Sequence, residues 1–199
     1  MKGVPVRAIT SAPLSFAWLL VLFVTTRVQR TAGQRGSRQI QKRHSTNLTR
    51  LRDEPLRVLV TSLFWLDDRR WWPYVPAFVG VVAPAERRLG WRRWLFIGAA
   101  AHVIATYVGQ GYLRQSIRKA DAPRRLVNVR DVGVSYFVLG VAGAASGHIQ
   151  RRWRFRCQAA GVLALAVNAA LRPTFTEVGH LTAVVVGLAA IPAASKRPV

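Results

Sequence analysis

The sequence predicts an all-α fold, a polytopic bundle of six transmembrane helices in one domain, residues 1–199, and three observations carry that reading. Hydrophobic residues make up 51% of the chain, yet Lys and Arg number 30 against 8 acids, a formal net charge of +22. The arginines cluster between apolar runs and almost never fall inside them, as in loops that flank membrane spans. Gly and Ala recur every four residues in two of the runs, a spacing that lets helix backbones approach closely in lipid. So large a positive charge would also suit nucleic acid, but the interleaved apolar segments argue against it. Arginine beside a span is held by anionic headgroups and orients insertion. The expected partner is therefore a bilayer with anionic lipids, the expected location the cell membrane as a multi-pass protein, and no nucleic acid is expected. Cys157 is the one cysteine, which excludes an internal disulfide and a Cys-based metal site. His44, His102, His148 and His180 are scattered without metal-ligand spacing, so no metal and no cofactor is expected.

The first expected span is 8–26. Its apolar core is followed by TTRVQR rather than by the small residues of a cleavage site, so it reads as an uncleaved anchor. The polar, basic stretch 28–54 is expected to be a loop with little packed structure of its own. Residues 55–66 (PLRVLVTSLFWL) are too short to span and read as an interfacial or re-entrant helix. Phe64, Trp65, Trp71, Trp72 and Tyr74 would form an aromatic belt at headgroup level. The second span, 71–85, is short and interrupted by Pro73, Pro76 and Pro84. A tight basic turn from Glu86 to Arg93 leads to a third span, 94–113, and a basic loop through Arg130 leads to a fourth, 131–150. Arg151, Arg152, Arg154 and Arg156 precede a fifth, 157–171, and Arg172-Pro173 breaks the chain before a sixth, 176–194.

Six crossings start spans two, four and six from the same side of the membrane. Ser135 lies five residues beyond Arg130, about 7.5 Å of helix, and His180 three to eight residues beyond Glu177 and Arg172, about 5–12 Å. The two side chains are thus expected at matching depth. Gly179, Ala183 and Gly187 form one narrow face beside His180, and Gly140 with Ala144 and Gly143 with Gly147 repeat the spacing on span four. Packing of these faces would bring Ser135 towards His180, whose imidazole can take the hydroxyl proton and make a nucleophile. Taken singly, each residue has a plainer reading. A serine in a span commonly bonds the carbonyl one turn back, and a histidine there can serve packing alone. Asp131 reads as a helix N-cap, His102 and Asn168 as polar contacts between helices, and His148 as an interfacial residue. Glu177 is expected to cap span six or to pair with Arg172.

These motifs resemble those of the rhomboid superfamily, whose active members are six-helix intramembrane serine proteases. Gly133-Val134-Ser135-Tyr136 stands where that family carries Gly-x-Ser-Gly, and Gly179-His180 through Gly187 where it carries Ala-His-x-x-Gly-x-x-x-Gly. Glu86-Arg87-Arg88-Leu89-Gly90 is similar to the family's Glu-x-x-x-Gly turn. The resemblance implies a rhomboid-like architecture, Ser135 as nucleophile and His180 as base without a third carboxylate. Gly133 and Tyr136 would then support the oxyanion motif, and the substrates would be membrane-anchored proteins. It departs from the pattern at Tyr136 and, more seriously, in the second span, where the family's His-x-x-x-Asn oxyanion donors are missing. The alternative it leaves open is a catalytically inactive relative that binds transmembrane segments of other proteins. Orientation stays open too. Counting Lys and Arg by side puts the N-terminus outside, whereas the resemblance implies it is inside.

Overall fold

The computed structural model describes residues 11–191. Residues 8–10 of the first expected span and 192–194 of the sixth lie outside that range. Helix α1, Pro13–Thr31, begins with proline, whose missing N–H costs nothing in a first turn. The amides of Leu14 and Ser15 at that end donate to the Glu86 carboxylate at 3.1 and 2.7 Å, and Ser15 Oγ donates to it at 2.6 Å. Glu86 is buried, so the Glu86–Gly90 turn is a clamp on the start of α1. Gly90, at φ 76°, sits where a side chain would be strained.

The stretch expected to be a loop with little packed structure of its own instead carries α2, Gly33–His44, and α3, Leu48–Asp53. The reason is polar packing. Ser37 and Gln41, one turn apart, face inward, and Gln41 Nε2 donates to the carbonyls of Leu66, at 3.0 Å, and Asp67. Asn47 caps α3 by accepting from the Arg50 amide at 3.0 Å. Helix α4, Pro55–Thr61, continues as a 3₁₀ turn, Ser62–Phe64.

Next comes an irregular helical run: a 3₁₀ turn at Trp72–Tyr74, α5 at Val75–Ala77, a π turn at Phe78–Val82 and α6 at Ala83–Leu89. Pro84 has no N–H for the carbonyl one turn back, which is where the ladder widens. Helices α7, Trp91–Arg118, α8, Val134–Ala145, and α10, Phe175–Ala189, pack on one another and form the centre of the molecule. A 3₁₀ turn, Arg124–Asn128, precedes α8, and another, Ser146–His148, follows it. Helix α9, Arg151–Leu171, has no buried residue and leans on α10. Among the described residues there is no strand.

The core is aromatic. Trp18 meets Phe78, Trp94 and Phe137 edge-on, with ring centroids 5.0, 6.2 and 4.8 Å apart, so α1, the π turn, α7 and α8 converge on one indole. The expected aromatic belt is mostly turned inward. Phe64, Trp71 and Tyr74 pack against this core and Trp65 stacks on His44, which leaves Trp72 as the exposed member. Large apolar side chains do cover the outside, among them Leu20, Phe96, Phe155, Leu163 and Leu171. Among the described residues no helix is long and apolar enough to cross a membrane by itself. The expected six crossings rest on helices that are short, as α8 is, or that carry polar residues inward, as α7 does at His102, Thr106 and Gln110.

Candidate active site

Three close backbone approaches build the site, and each depends on a small residue. A methyl group on Gly187 would collide with the Gly140 carbonyl and come within 3.1 Å of the Ala144 amide. One on Gly143 would lie 2.8 Å from the Val184 carbonyl, and one on Gly140 would strike Ala101. Ala144 and Ala183 are fully buried in the same seam. Gly147 lies beyond the end of α8, in the 3₁₀ turn, against Ile191. With α8 and α10 held this close, Ser135 in the first turn of α8 meets His180 in the second turn of α10. His180 Nε2 stands 3.0 Å from Ser135 Oγ.

The other ring nitrogen is occupied as well. His180 Nδ1 lies 3.3 Å from Glu177 Oε2, and both side chains are one-fifth exposed. The same oxygen accepts from Asn168 Nδ2 of α9 at 2.5 Å. The expected partner of Glu177, Arg172, is replaced by Asn168 and His180, and the capping role at α10 belongs to Thr174, whose Oγ1 accepts from the Glu177 amide at 3.3 Å. The two-residue arrangement expected from the sequence therefore leaves out a carboxylate that abuts the imidazole. The signal was present: Glu177 and His180 are three apart on one helix, which places them on one face.

Tyr136 does not crowd the mouth of the site. It is fully buried beneath it, its ring edge-on to His180 at 5.5 Å and stacked on His102 at 6.3 Å. A methyl on Gly179 would sit 2.6 Å from the Tyr136 Cζ and hydroxyl. Tyr136 and Gly179, which stand where the family carries glycine and alanine, are thus one coupled exchange, in which a large residue after the serine needs the smallest one before the histidine. Gly133 is explained similarly, since any side chain there would occupy the His102 ring. His102 is held by Nε2, which donates to the Leu59 carbonyl at 3.0 Å.

Asp131 is not an N-cap, and no side chain caps α8. Its carboxyl is buried and accepts from Thr46 Oγ1 at 3.1 Å, Gln110 Nε2 at 3.4 Å and the Tyr136 hydroxyl at 3.3 Å. Its amide donates to Ser45 Oγ at 2.7 Å, and the Thr46 amide donates to its carbonyl at 3.2 Å. This network ties the segment entering Ser135 to the first loop and to α7. At the start of the second expected span, Trp71 packs against Phe23, and Tyr74 against the aromatic core. The run 72–89 contains neither His nor Asn. Among the described residues, no group of His, Cys, Asp and Glu could hold a metal ion.

A family model described as rhomboid-like protein matches residues 7–199, nearly the whole chain. No curated protein and no solved structure matches it.

Proposed function

The chain belongs to the rhomboid-like protein family, a family of membrane proteins, and we propose that it is an intramembrane serine protease acting on membrane-anchored proteins. The observation that carries this reading is the 3.0 Å approach of His180 Nε2 to Ser135 Oγ. A serine hydroxyl is a weak nucleophile until a base within hydrogen-bond reach takes its proton. As Oγ attacks the scissile carbonyl, its proton passes to Nε2. The C–N bond then breaks and the same proton goes to the leaving nitrogen. Water, deprotonated in turn by His180, releases the acyl group and restores Ser135.

The tetrahedral oxyanion needs donors. The amides of Val134, Ser135 and Tyr136 precede the first backbone bond of α8, that from the Phe137 amide to the Gly133 carbonyl at 3.2 Å, and so have no partner within the helix. They lie at the positive end of the α8 dipole, where negative charge is favoured. Without His and Asn donors in the run 72–89, the rate is expected to fall about 10²–10³-fold short of a fully equipped site. An apolar cleft of about 320 Å³, lined by Leu139, Gly143, Leu165 and Val184 among others, opens between α8, α9 and α10 and suits an apolar substrate segment; Leu139 at its edge is one turn on from Ser135. The exposed apolar side chains of α1, α7 and α9 support placement in several passes through a cell membrane with anionic lipids around the arginine clusters.

A second reading is favoured by the missing His and Asn: a catalytically silent member that binds transmembrane segments of other proteins. A cleavage assay in liposomes with a panel of labelled single-span substrates separates the two. Products with the natural chain and none with Ser135→Ala support the protease. Equal product levels with both, or none with either, remove it in favour of the binder.

A further inference from the structure

The geometry points to Glu177 as a positioning residue for His180, making the site a Ser–His–Glu relay fixed from a third helix by Asn168. This rests on the protease reading and deepens it. The carboxylate can only accept, so its approach to Nδ1 at 3.3 Å selects the tautomer with the proton on Nδ1. That leaves the Nε2 lone pair directed at Ser135 Oγ, 3.0 Å away, as general-base catalysis requires. When Nε2 takes the serine proton, the ring becomes an imidazolium, and Glu177 is the negative charge beside it. The proton on Nδ1 stays there throughout. The one that moves goes from Oγ to Nε2 and on to the leaving nitrogen.

Glu177 is held for this task rather than left to solvent. Asn168 Nδ2 donates to the oxygen that faces the imidazole, at 2.5 Å, and Thr174 fixes the backbone of the same turn. Asn168 comes from α9, a long helix with no buried residue, so this contact couples a loosely packed element to the orientation of the base. Few ionisable groups surround His180. Glu177 comes from its own helix and Tyr136 from α8, with the Asp131 carboxyl behind the Tyr136 hydroxyl and His102 on the far face of that ring. From α9 comes neutral Asn168. Glu177 is therefore the one carboxylate in direct contact with the imidazole among the described residues.

The test is nitrogen-15 NMR of histidine-labelled protein in detergent, following the His180 tautomer, run beside the rate of covalent labelling by a fluorophosphonate probe. Glu177→Gln should mix the tautomers and slow labelling by about 10²–10⁴-fold. Glu177→Asp should restore the Nδ1 tautomer in part. Asn168→Ala, which keeps the carboxylate, should slow labelling without removing the Nδ1 tautomer. A natural chain that resists the probe, with the tautomer still shifted by Glu177→Gln, leaves the contact standing and removes the protease reading. A natural chain that labels, with tautomer and rate both unchanged in Glu177→Gln, overturns the relay alone.

Discussion

Gly179→Ala is the substitution whose cost follows most directly from the structure. The added methyl would stand 2.6 Å from Cζ and from the hydroxyl of Tyr136, closer than any carbon contact tolerates. The ring has nowhere to go, being fully buried between His102 and His180 with its hydroxyl on Asp131. Overpacking of this kind costs about 1–3 kcal/mol. Tyr136→Ala empties the space and should itself cost about 3–5 kcal/mol, as large-to-small aromatic changes do. With the ring gone, Gly179→Ala should instead gain up to about 1 kcal/mol, because alanine is the better helix residue. The four members of this cycle, compared by chemical unfolding in one detergent, should thus show Gly179→Ala changing sign with its background. Identical effects in both backgrounds would refute the claim that Tyr136 and Gly179 form one coupled exchange.

Three further outcomes are expected. Gly187→Leu would drive a side chain into the Gly140 carbonyl and should lower stability by about 1–3 kcal/mol or more, read as a fall in thermal midpoint in detergent. Asp131→Ala strands the Thr46, Gln110 and Tyr136 donors at about 1–3 kcal/mol each where water cannot reach them, and should loosen the segment before Ser135, read as faster amide exchange there. Cysteines introduced at Arg43 and at Arg124, in a chain with Cys157 replaced, should label from one side of the membrane and those at Arg92 and Arg152 from the other.

Much of the packing was legible because it depends on local chemistry. Spacing by four marks Gly140, Gly143, Ala183 and Gly187 as a seam, and the same packing puts Ser135 beside His180. The Glu86–Gly90 turn was visible as a motif, though not that its carboxylate caps α1. What escaped has a common cause. Gln41 reaches the carbonyls of Leu66 and Asp67, and Asp131 gathers donors from Thr46, Gln110 and Tyr136, so each partner is distant in sequence and of a residue type that also suits a solvated loop. Hydrophobic periodicity cannot report polar packing. It therefore misread the stretch holding α2 as a loop. Glu177 was ambiguous for another reason: an acid in the first turn of a helix already has a sufficient role there, so its contact with His180 emerges only with the fold.

Protease activity requires Ser135 to be a nucleophile made so by His180. Mass spectrometry of the detergent-solubilised chain after exposure to a fluorophosphonate tests it without knowledge of a substrate. One adduct is expected, on Ser135, lost in Ser135→Ala and at least about 10²-fold slower to form in His180→Ala. An unlabelled Ser135 in a folded chain, or labelling as fast in His180→Ala as in the natural protein, would contradict it.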